Sequence, residues 1–219
     1  MLTQIYEVAD PDDARLSSAF GVDHIGILVG DGEFPRELPL EAAKTVAAAI
    51  VSGAKCSALF LTARLALIEA WAPQLRPDIV HLGAAAELLG PEETSVLKSK
   101  LPGMLMMRSV PVTGPESIEI ARSYDGIADF LLLDSHRASD PQIGALGITH
   151  DWAVSRRIVE LVRTPVILAG GLGPDNVTEA IRAVRPAGVD SKTRTDLPGS
   201  HAKDLSRVRS FHAAAKTAG

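Results

Sequence analysis

One carboxylate stands at a position suited to acid–base chemistry. Asp134 directly follows the apolar run Phe-Leu-Leu-Leu at 130–133, which is typical of a buried strand. A carboxyl group at the end of such a strand loses part of its hydration, and this loss raises its pKa toward values that suit general acid catalysis. The alternative is an aspartate that only caps a turn or fixes a loop. Asp134 is therefore a candidate catalytic acid.

A glycine pair offers a second kind of chemistry, the binding of an anion. Gly170 and Gly171 separate the apolar run 166–169 from a segment beginning at Pro174 in which apolar residues recur at helical spacing. Glycines let backbone N–H groups approach an anion closely, and a helix N-terminus adds a favourable dipole. The stretch predicts a phosphate-binding turn, with an ordinary strand-to-helix turn as the alternative.

Both features lie in a chain where strand and helix patterns alternate throughout. Short apolar runs predict eight strands, at 3–8, 24–29, 57–61, 79–82, 104–108, 130–133, 166–169 and 188–190. Helical patterns follow them at 11–20, 39–51, 63–72, 92–98, 115–122, 151–162, 174–184 and 202–215. This alternation predicts an α/β protein, a (β/α)8 TIM barrel forming one domain over 1–219. A doubly wound sheet is disfavoured because its glycine fingerprint would follow the first strand.

In such a barrel, binding and catalytic groups lie at the carboxyl ends of the strands. Side chains near those ends that could bind or react are Tyr6, Glu7, Thr62, His81, Arg108, Asp134 and residues 190–194. Phosphate sites of barrels commonly use the loops after strands seven and eight. The glycine pair and the residues after strand eight are therefore expected to meet around one anion.

Composition excludes several classes of partner. The 219 residues include 22 basic and 27 acidic side chains, a formal charge of −5, without a long run of like charge. Nucleic acid is therefore not an expected partner. No apolar stretch reaches the roughly 20 residues of a membrane span, so no membrane partner is expected either. The single cysteine, Cys56, excludes a disulfide framework and suits a cytoplasmic location.

A metal site is weakly indicated. The side chains of His81, Asp134, His136 and His150 could ligate a divalent ion, but they lack any recognised ligand spacing. The sequence therefore predicts neither a metal nor another cofactor.

The motifs described so far resemble those of the phosphoribosylanthranilate isomerase family. The resemblance rests on Leu-Leu-Asp at 132–134, Gly-Ala-Leu-Gly-Ile-Thr-His-Asp-Trp at 144–152, Leu-Ala-Gly-Gly-Leu at 168–172 and Pro-Asp-Asn-Val at 174–177. Upstream, Pro35-Arg36 is similar to the family's Ser-Pro-Arg, so the resemblance covers nearly the whole chain. It implies a ketol isomerase of the tryptophan pathway, which opens a phosphoribosylamine and moves a hydrogen from C2 to C1.

The resemblance also implies roles for particular residues. Asp134 matches the general acid that protonates the furanose ring oxygen, and Gly170 and Gly171 match the backbone phosphate cradle. Arg36 matches the arginine that pairs with the anthranilate carboxylate, a task suited to a guanidinium fork. The expected partner is a small phosphorylated substrate, and a homodimer is possible.

The family's general base is missing. Where the family has Lys-Ile-Cys-Gly, with cysteine as the base, this chain has Gln-Ile-Tyr-Glu at 4–7. Tyr6 is a weak candidate because a phenol has a pKa of about 10. Glu7 would face the opposite side of a regular strand. His81 replaces a glutamine of the family at a strand end, and its ordinary pKa near 6.5 suits a base.

A general base could then arise in two ways. Either Lys192 or Arg194 lowers the pKa of Tyr6, or His81 acts as the base instead of Tyr6. Weak or absent isomerase activity is expected in the natural protein, and Tyr6→Cys is expected to raise it.

The turn after strand eight departs from the family as well. Ser-Lys-Thr-Arg-Thr-Asp at 191–196 replaces Val-Ser-Ser-Gly-Val-Glu. Ser191, Lys192 and Arg194 are expected to bind phosphate, the last two through their positive charges. Ala145 and Leu146 alter the preceding glycine loop. These changes leave two alternatives open: a barrel enzyme acting on another phosphorylated sugar or carbonyl compound, as isomerase, epimerase or lyase, and a non-catalytic binding barrel.

Overall fold

Eight parallel strands close into a barrel in which each strand pairs with the next and β8 pairs with β1. The computed structural model describes residues 1–135 and 149–218. The strands are β1 (Leu2–Ile5), β2 (His24–Leu28), β3 (Lys55–Phe60), β4 (Ile79–Leu82), β5 (Leu105–Val112), β6 (Phe130–Ser135), β7 (Val166–Leu168) and β8 (Gly188–Ser191).

One α-helix follows each strand and packs outside the barrel. The helices are α1 (Pro11–Ala19), α2 (Leu40–Ala48), α3 (Leu65–Leu75), α4 (Pro91–Lys100), α5 (Ser117–Ser123), α6 (Trp152–Leu161), α7 (Val177–Val184) and α8 (Leu205–Ala218). A short 3-10 helix, Thr193–Thr195, precedes α8. The predicted (β/α)8 barrel is confirmed. No helix of the described ranges is both long enough and apolar enough to cross a membrane.

Local sequence explains where several helices begin. The Asp10 carboxylate accepts hydrogen bonds from the N–H groups of Asp12 and Asp13, and Pro11 occupies the first turn of α1, where a missing N–H costs little. In α4, the Glu93 carboxylate reaches back to the N–H of Gly90. These caps fix the direction in which each helix leaves its strand.

Several predicted boundaries were wrong; β1, for example, ends at Ile5 rather than at residue 8. Helix α3 runs past Pro73 to Leu75, because a proline near the end of a helix removes only one intrahelical hydrogen bond. Strand β5 runs on to Val112, which places Arg108 inside the strand rather than at its end. Helix α7 begins at Val177 rather than Pro174.

The interior of the barrel holds its own apolar cluster below the mouth. Its members are Tyr6, Ile79, Met107, Leu132, Ile167 and Ala169. Side chains alternate between the two faces of a strand. His81 therefore points inward like Ile79, and Asp134 points inward like Leu132. The barrel alternation thus positions both candidate side chains over this cluster.

Arg108 is a structural residue. Its fully buried guanidinium donates from Nη1 to the Leu82 carbonyl (2.8 Å) and from Nη2 to those of Ala84 (2.7 Å) and Leu89 (3.1 Å). It also lies over the ring of Tyr124, 5.1 Å from the centroid. Burial lowers its pKa. Arg108 thus ties the end of β4 to the loop before α4.

Arg108→Met is expected to lower the free energy of unfolding by at least about 2 kcal/mol, because the buried carbonyls of Leu82 and Ala84 lose the guanidinium donor, whereas that of Leu89 keeps the Tyr124 hydroxyl (3.1 Å). Urea denaturation measures the change. Arg122→Met is the control: its exposed ion pair with Glu119 (3.6 Å) should matter by no more than about 0.5 kcal/mol. Equal urea midpoints for the two variants would contradict the structural role.

Candidate active site at the barrel mouth

A cavity opens at the carboxyl ends of the strands. Its lining residues are Tyr6, Glu7, Leu59, Leu61, His81, Ser109, Leu132, Asp134, Asp190 and Lys192. The space between its lining atoms measures about 490 Å³, and part of this is open solvent. A smaller pocket adjoins it between the glycine turn and the turn after β8. Asp134, Asp190 and Lys192 line both, so the two spaces lie side by side at the mouth.

The glycine turn approaches the site closely. Gly170 and Gly171 have φ values of 85° and 60°, which favour glycine over residues with a side chain. A Cβ atom on Gly170 would lie 2.8 Å from Nδ1 of His150 and 3.3 Å from Oδ1 of Asp134. The turn is held by Asn176, whose Oδ1 accepts from the N–H of Gly173 (2.8 Å). The backbone of this turn therefore borders the smaller pocket directly.

The turn after β8 contributes one cation to the pocket rather than two. The Ser191 hydroxyl donates to the Leu172 carbonyl (2.7 Å), which joins this turn to the glycine turn. Lys192 lines the pocket. Arg194 instead donates to both carboxylate oxygens of Asp175 at 2.8 Å, because its stem packs against Gly173 outside the site. The expectation that Arg194 adds a second charge there is therefore corrected.

Two aspartates border the site together. Oδ1 of Asp134 accepts from the N–H of Ser135 (2.7 Å) and lies within 3.3 Å of its hydroxyl. Asp190 is buried, and its Oδ1 accepts no hydrogen bond from the part of the chain that the structure describes. Burial, followed by the negative charge of Asp134, raises the pKa of Asp190 well above its usual range. Sequence reasoning gave Asp190 no role, although its position at the end of β8 was a usable signal.

Tyr6 and His81 form a buried hydrogen-bond chain. The Tyr6 hydroxyl lies 2.7 Å from Oγ of Ser57 and 2.7 Å from Nδ1 of His81. Nε2 of His81 lies 2.7 Å from Oγ of Ser109. Burial raises the pKa of Tyr6 well above 10 and lowers the pKa of His81 to about 3. Both side chains are therefore held neutral at physiological pH.

This chain corrects the two candidates for the base. The ring of Tyr6 points down against Gly26, where a Cβ would lie 2.2 Å from the ring, so its hydroxyl meets Ser57 and His81 rather than a cation. Lys192 therefore does not depress its pKa. His81 has both ring nitrogens engaged and a pKa too low for an efficient base. Tyr6→Cys would also open a void inside the barrel.

Glu7 occupies the mouth, contrary to the sequence expectation. Because β1 ends at Ile5, strand alternation does not extend to Glu7, whose φ of 48° turns its side chain into the cavity. Arg36 donates to both carboxylate oxygens, Nε to Oε2 at 2.7 Å and Nη2 to Oε1 at 3.2 Å. Nζ of Lys192 lies 3.6 Å away. Burial alone would raise the pKa of Glu7, but the Arg36 hydrogen bond and these charges lower it.

A buried lysine supports this part of the site. Nζ of Lys203 donates to the carbonyl of Tyr6 and to Oδ1 of Asp196, both at 2.5 Å. Burial lowers the pKa of Lys203, while the Asp196 charge opposes the change. Lys203 thus anchors the backbone from which Glu7 projects. Sequence reasoning assigned it no function.

Part of the proposed metal set lies outside the described residues, namely His136, as do Ala145 and Leu146. Within 1–135 and 149–218, no group of three or more histidine, cysteine or acidic side chains could hold a metal ion.

Comparisons with known proteins agree on one family. A family model described as N-(5'phosphoribosyl)anthranilate (PRA) isomerase matches residues 32–213. The N-(5'-phosphoribosyl)anthranilate isomerase of Methanocella arvoryzae is 35% identical over 201 residues, which cover 92% of this chain and 91% of the relative. The same enzyme of Haloferax volcanii is 34% identical over 212 residues, covering 96% and 91%.

Solved structures show the same fold. The phosphoribosylanthranilate isomerase of Thermus thermophilus superimposes with a TM-score of 0.82 at 23% identity, covering 99% of each chain. Monomers generated from the dimeric enzyme of Thermotoga maritima give a TM-score of 0.79 at 24% identity, covering 99% of this chain and 100% of theirs.

Proposed function

Because the chain belongs to the N-(5'-phosphoribosyl)anthranilate isomerase family, we propose that it isomerises N-(5'-phosphoribosyl)anthranilate in tryptophan biosynthesis. The reaction opens the sugar ring and converts an aldosylamine into an aminoketose. It needs a site for phosphate, an acid at the ring oxygen, a base at C2 and a partner for the anthranilate carboxylate. The observation that carries the proposal is that the glycine-turn pocket and the wider cavity share Asp134, Asp190 and Lys192 as lining residues.

The phosphate group is assigned to the smaller pocket. Backbone N–H groups of the Gly170-Gly171 turn would face the anion without interference from a Cβ atom. Ser191 holds the two turns together, and Lys192 supplies a positive charge. A phosphate bound there fixes one end of the sugar, so that its ring lies over the wider cavity.

Asp134 is assigned the role of general acid. It borders both the phosphate pocket and the wider cavity, which is the position needed to reach a ring oxygen between them. Proton transfer to that oxygen breaks the C–O bond and leaves an iminium ion at C1. Burial and the neighbouring Asp134 raise the pKa of Asp190, so this pair of carboxyl groups can hold a proton, which limits their repulsion with the phosphate.

Arg36 is assigned to the anthranilate carboxylate. Its guanidinium already binds a carboxylate with two hydrogen bonds, that of Glu7, which lines the cavity. A substrate carboxylate would bind with the same geometry. The same pair also favours a second candidate function, isomerisation of a phosphorylated sugar without an aryl carboxylate, if Glu7 never leaves Arg36.

The test is direct. The missing cysteine predicted weak or absent activity, but the family membership and the residues that meet at the mouth favour turnover. We therefore expect the purified protein to consume phosphoribosylanthranilate, followed as the loss of its anthranilate-type fluorescence. Unchanged fluorescence with a protein whose circular dichroism shows it folded would contradict the proposal. Turnover of a phosphorylated aminosugar lacking the carboxylate, without turnover of phosphoribosylanthranilate, would instead select the second candidate.

A homodimer and a cytoplasmic location remain predictions from the sequence. The dimeric state of the Thermotoga maritima enzyme supports the first. Light scattering of the purified protein measures it.

A further inference from the structure

The backbone singles out two residues at the mouth. Five non-glycine residues of the described ranges have positive φ: Glu7, Arg36, Ser52, Arg76 and Arg185. Arg76 and Arg185 end helices α3 and α7, where a left-handed residue is ordinary, and Ser52 lies in a turn before Gly53. Glu7 instead lines the active site, and Arg36 binds its carboxylate. A strained backbone conformation that is retained at a binding site indicates that the residue has a function there.

The left-handed conformation of Glu7 determines what its side chain can reach. It directs the carboxylate into the cavity that Asp134 also lines. Glu7 follows β1 and Asp134 lies on β6, strands that do not pair, so the two carboxylates approach the cavity from different sides. A substrate between them would be reached by an acid on one side and a base on the other. Only 10% of the Glu7 side chain is exposed, which keeps bulk water from competing.

We propose that Glu7 is the general base of the isomerisation, and that the substrate's own carboxylate frees it by taking its place on Arg36. This inference rests on the proposed function. Glu7 meets the requirements of a general base that Tyr6 and His81 do not meet, because its carboxylate is ionised and faces the cavity.

The step balances with no further reactant. After ring opening, the C2–H bond breaks and the proton moves to a carboxylate oxygen of Glu7. The electron pair of that bond forms the C1=C2 double bond, and the pair of the C=N bond moves to nitrogen. The resulting enolamine then takes up at C1 the proton held by Glu7, and its C2 hydroxyl gives its proton to Asp134, which ring opening left ionised. The products are the aminoketose and an ionised Glu7.

The charges around Glu7 explain why release from Arg36 matters. Arg36 comes from the loop after β2, and Lys192 and Asp196 from the turn after β8. Lys203 precedes α8, while Asp134 and Asp190 border the same cavity. With Arg36 bound to both oxygens, Glu7 is a poor proton acceptor. When the guanidinium turns to the substrate, Lys192 at 3.6 Å still keeps Glu7 ionised, but its basicity rises.

Removal of the carboxylate tests the base. Glu7→Gln and Glu7→Gly are each expected to lower kcat by at least about 100-fold, the lower range for general base catalysis. Glycine suits the left-handed backbone, so Glu7→Gly is expected to fold. Sodium formate should restore turnover of Glu7→Gly in proportion to its concentration, because it supplies a carboxylate in the vacated space. Glu33→Gln, on the exposed side of the Arg36 loop, is the control and should keep wild-type kcat.

The pH profile tests the release. Arg36 lowers the pKa of Glu7 in the free enzyme, whereas in the enzyme–substrate complex the substrate occupies Arg36. As the pH falls, kcat should therefore decline at a higher pH than kcat/KM does. In Arg36→Ala, the acidic limbs of the kcat and kcat/KM profiles should coincide. Coincident limbs in the wild-type enzyme would overturn the release.

The outcomes separate this inference from the function itself. If the wild-type protein consumes phosphoribosylanthranilate and Glu7→Gln retains kcat within about threefold, Glu7 is not the base and the family reaction stands. A Glu7→Gly variant that is inactive and unresponsive to formate would make Glu7 a positioning residue for Arg36. A wild-type protein without turnover would overturn both the function and this inference.

Discussion

Asp134→Asn is expected to lower kcat by at least about 100-fold, because an amide cannot deliver a proton to the ring oxygen. The fold should persist, since the amide oxygen can still accept from the N–H of Ser135. Steady-state kinetics with phosphoribosylanthranilate measures the effect. The free energy of unfolding, measured in urea, should stay within about 0.5 kcal/mol of the wild-type value.

Asp175→Asn is the matched control for charge. Asp175 pairs with Arg194 outside both pockets, so the same loss of one negative charge should leave kcat unchanged. An Asp134→Asn enzyme with wild-type turnover would reduce Asp134 to a structural residue, and Asp190 would then be the acid to examine.

Gly171→Asp is expected to remove phosphate binding. Aspartate tolerates left-handed backbone better than most residues, so the turn should survive, but a negative charge would face the bound anion. We expect KM to rise at least about 100-fold, equivalent to about 2.7 kcal/mol of binding free energy. Inorganic phosphate should raise the melting temperature of the wild-type protein and not that of the variant.

Gly103→Asp is the control for this change. Gly103 also has positive φ, with open space around a Cβ, and lies between α4 and β5 at the opposite end of the barrel. It should leave both KM and the effect of phosphate unchanged. A Gly171→Asp protein that phosphate still stabilises would place the anion elsewhere.

The barrel was predictable because its parallel strands are buried on both faces and appear as short apolar runs between helical patterns. Element ends were less predictable. Pro73 breaks a helical pattern in sequence, yet near the end of a helix it costs only one hydrogen bond. The sequence predicted that Arg108 lies at the barrel mouth, because a charged residue usually ends a strand. In the structure Arg108 lies within β5, and backbone carbonyls of Leu82 and Ala84 accept hydrogen bonds from its buried guanidinium.

The site residues could be predicted where the place of a residue on its strand alone determines the direction of its side chain. Asp134 and Gly170 follow directly from inward-facing strands. Glu7 was misjudged because alternation holds only within a strand, and a left-handed glutamate leaves no trace in sequence. The direction of Arg194 depends on Asp175, a partner that spacing alone does not reveal.

The seam between β1 and β8 has a consequence for how the enzyme assembles. Leu2 lies beside Gly188, so the closing contacts join the two ends of the described fold. Such distant contacts form slowly, because chain entropy must be lost before they stabilise anything. Glu7 follows β1, whereas Lys192 and Lys203 lie beyond β8, and they meet only across this seam. During refolding, helix content can therefore return before turnover, and recovered turnover marks the moment at which the barrel closes.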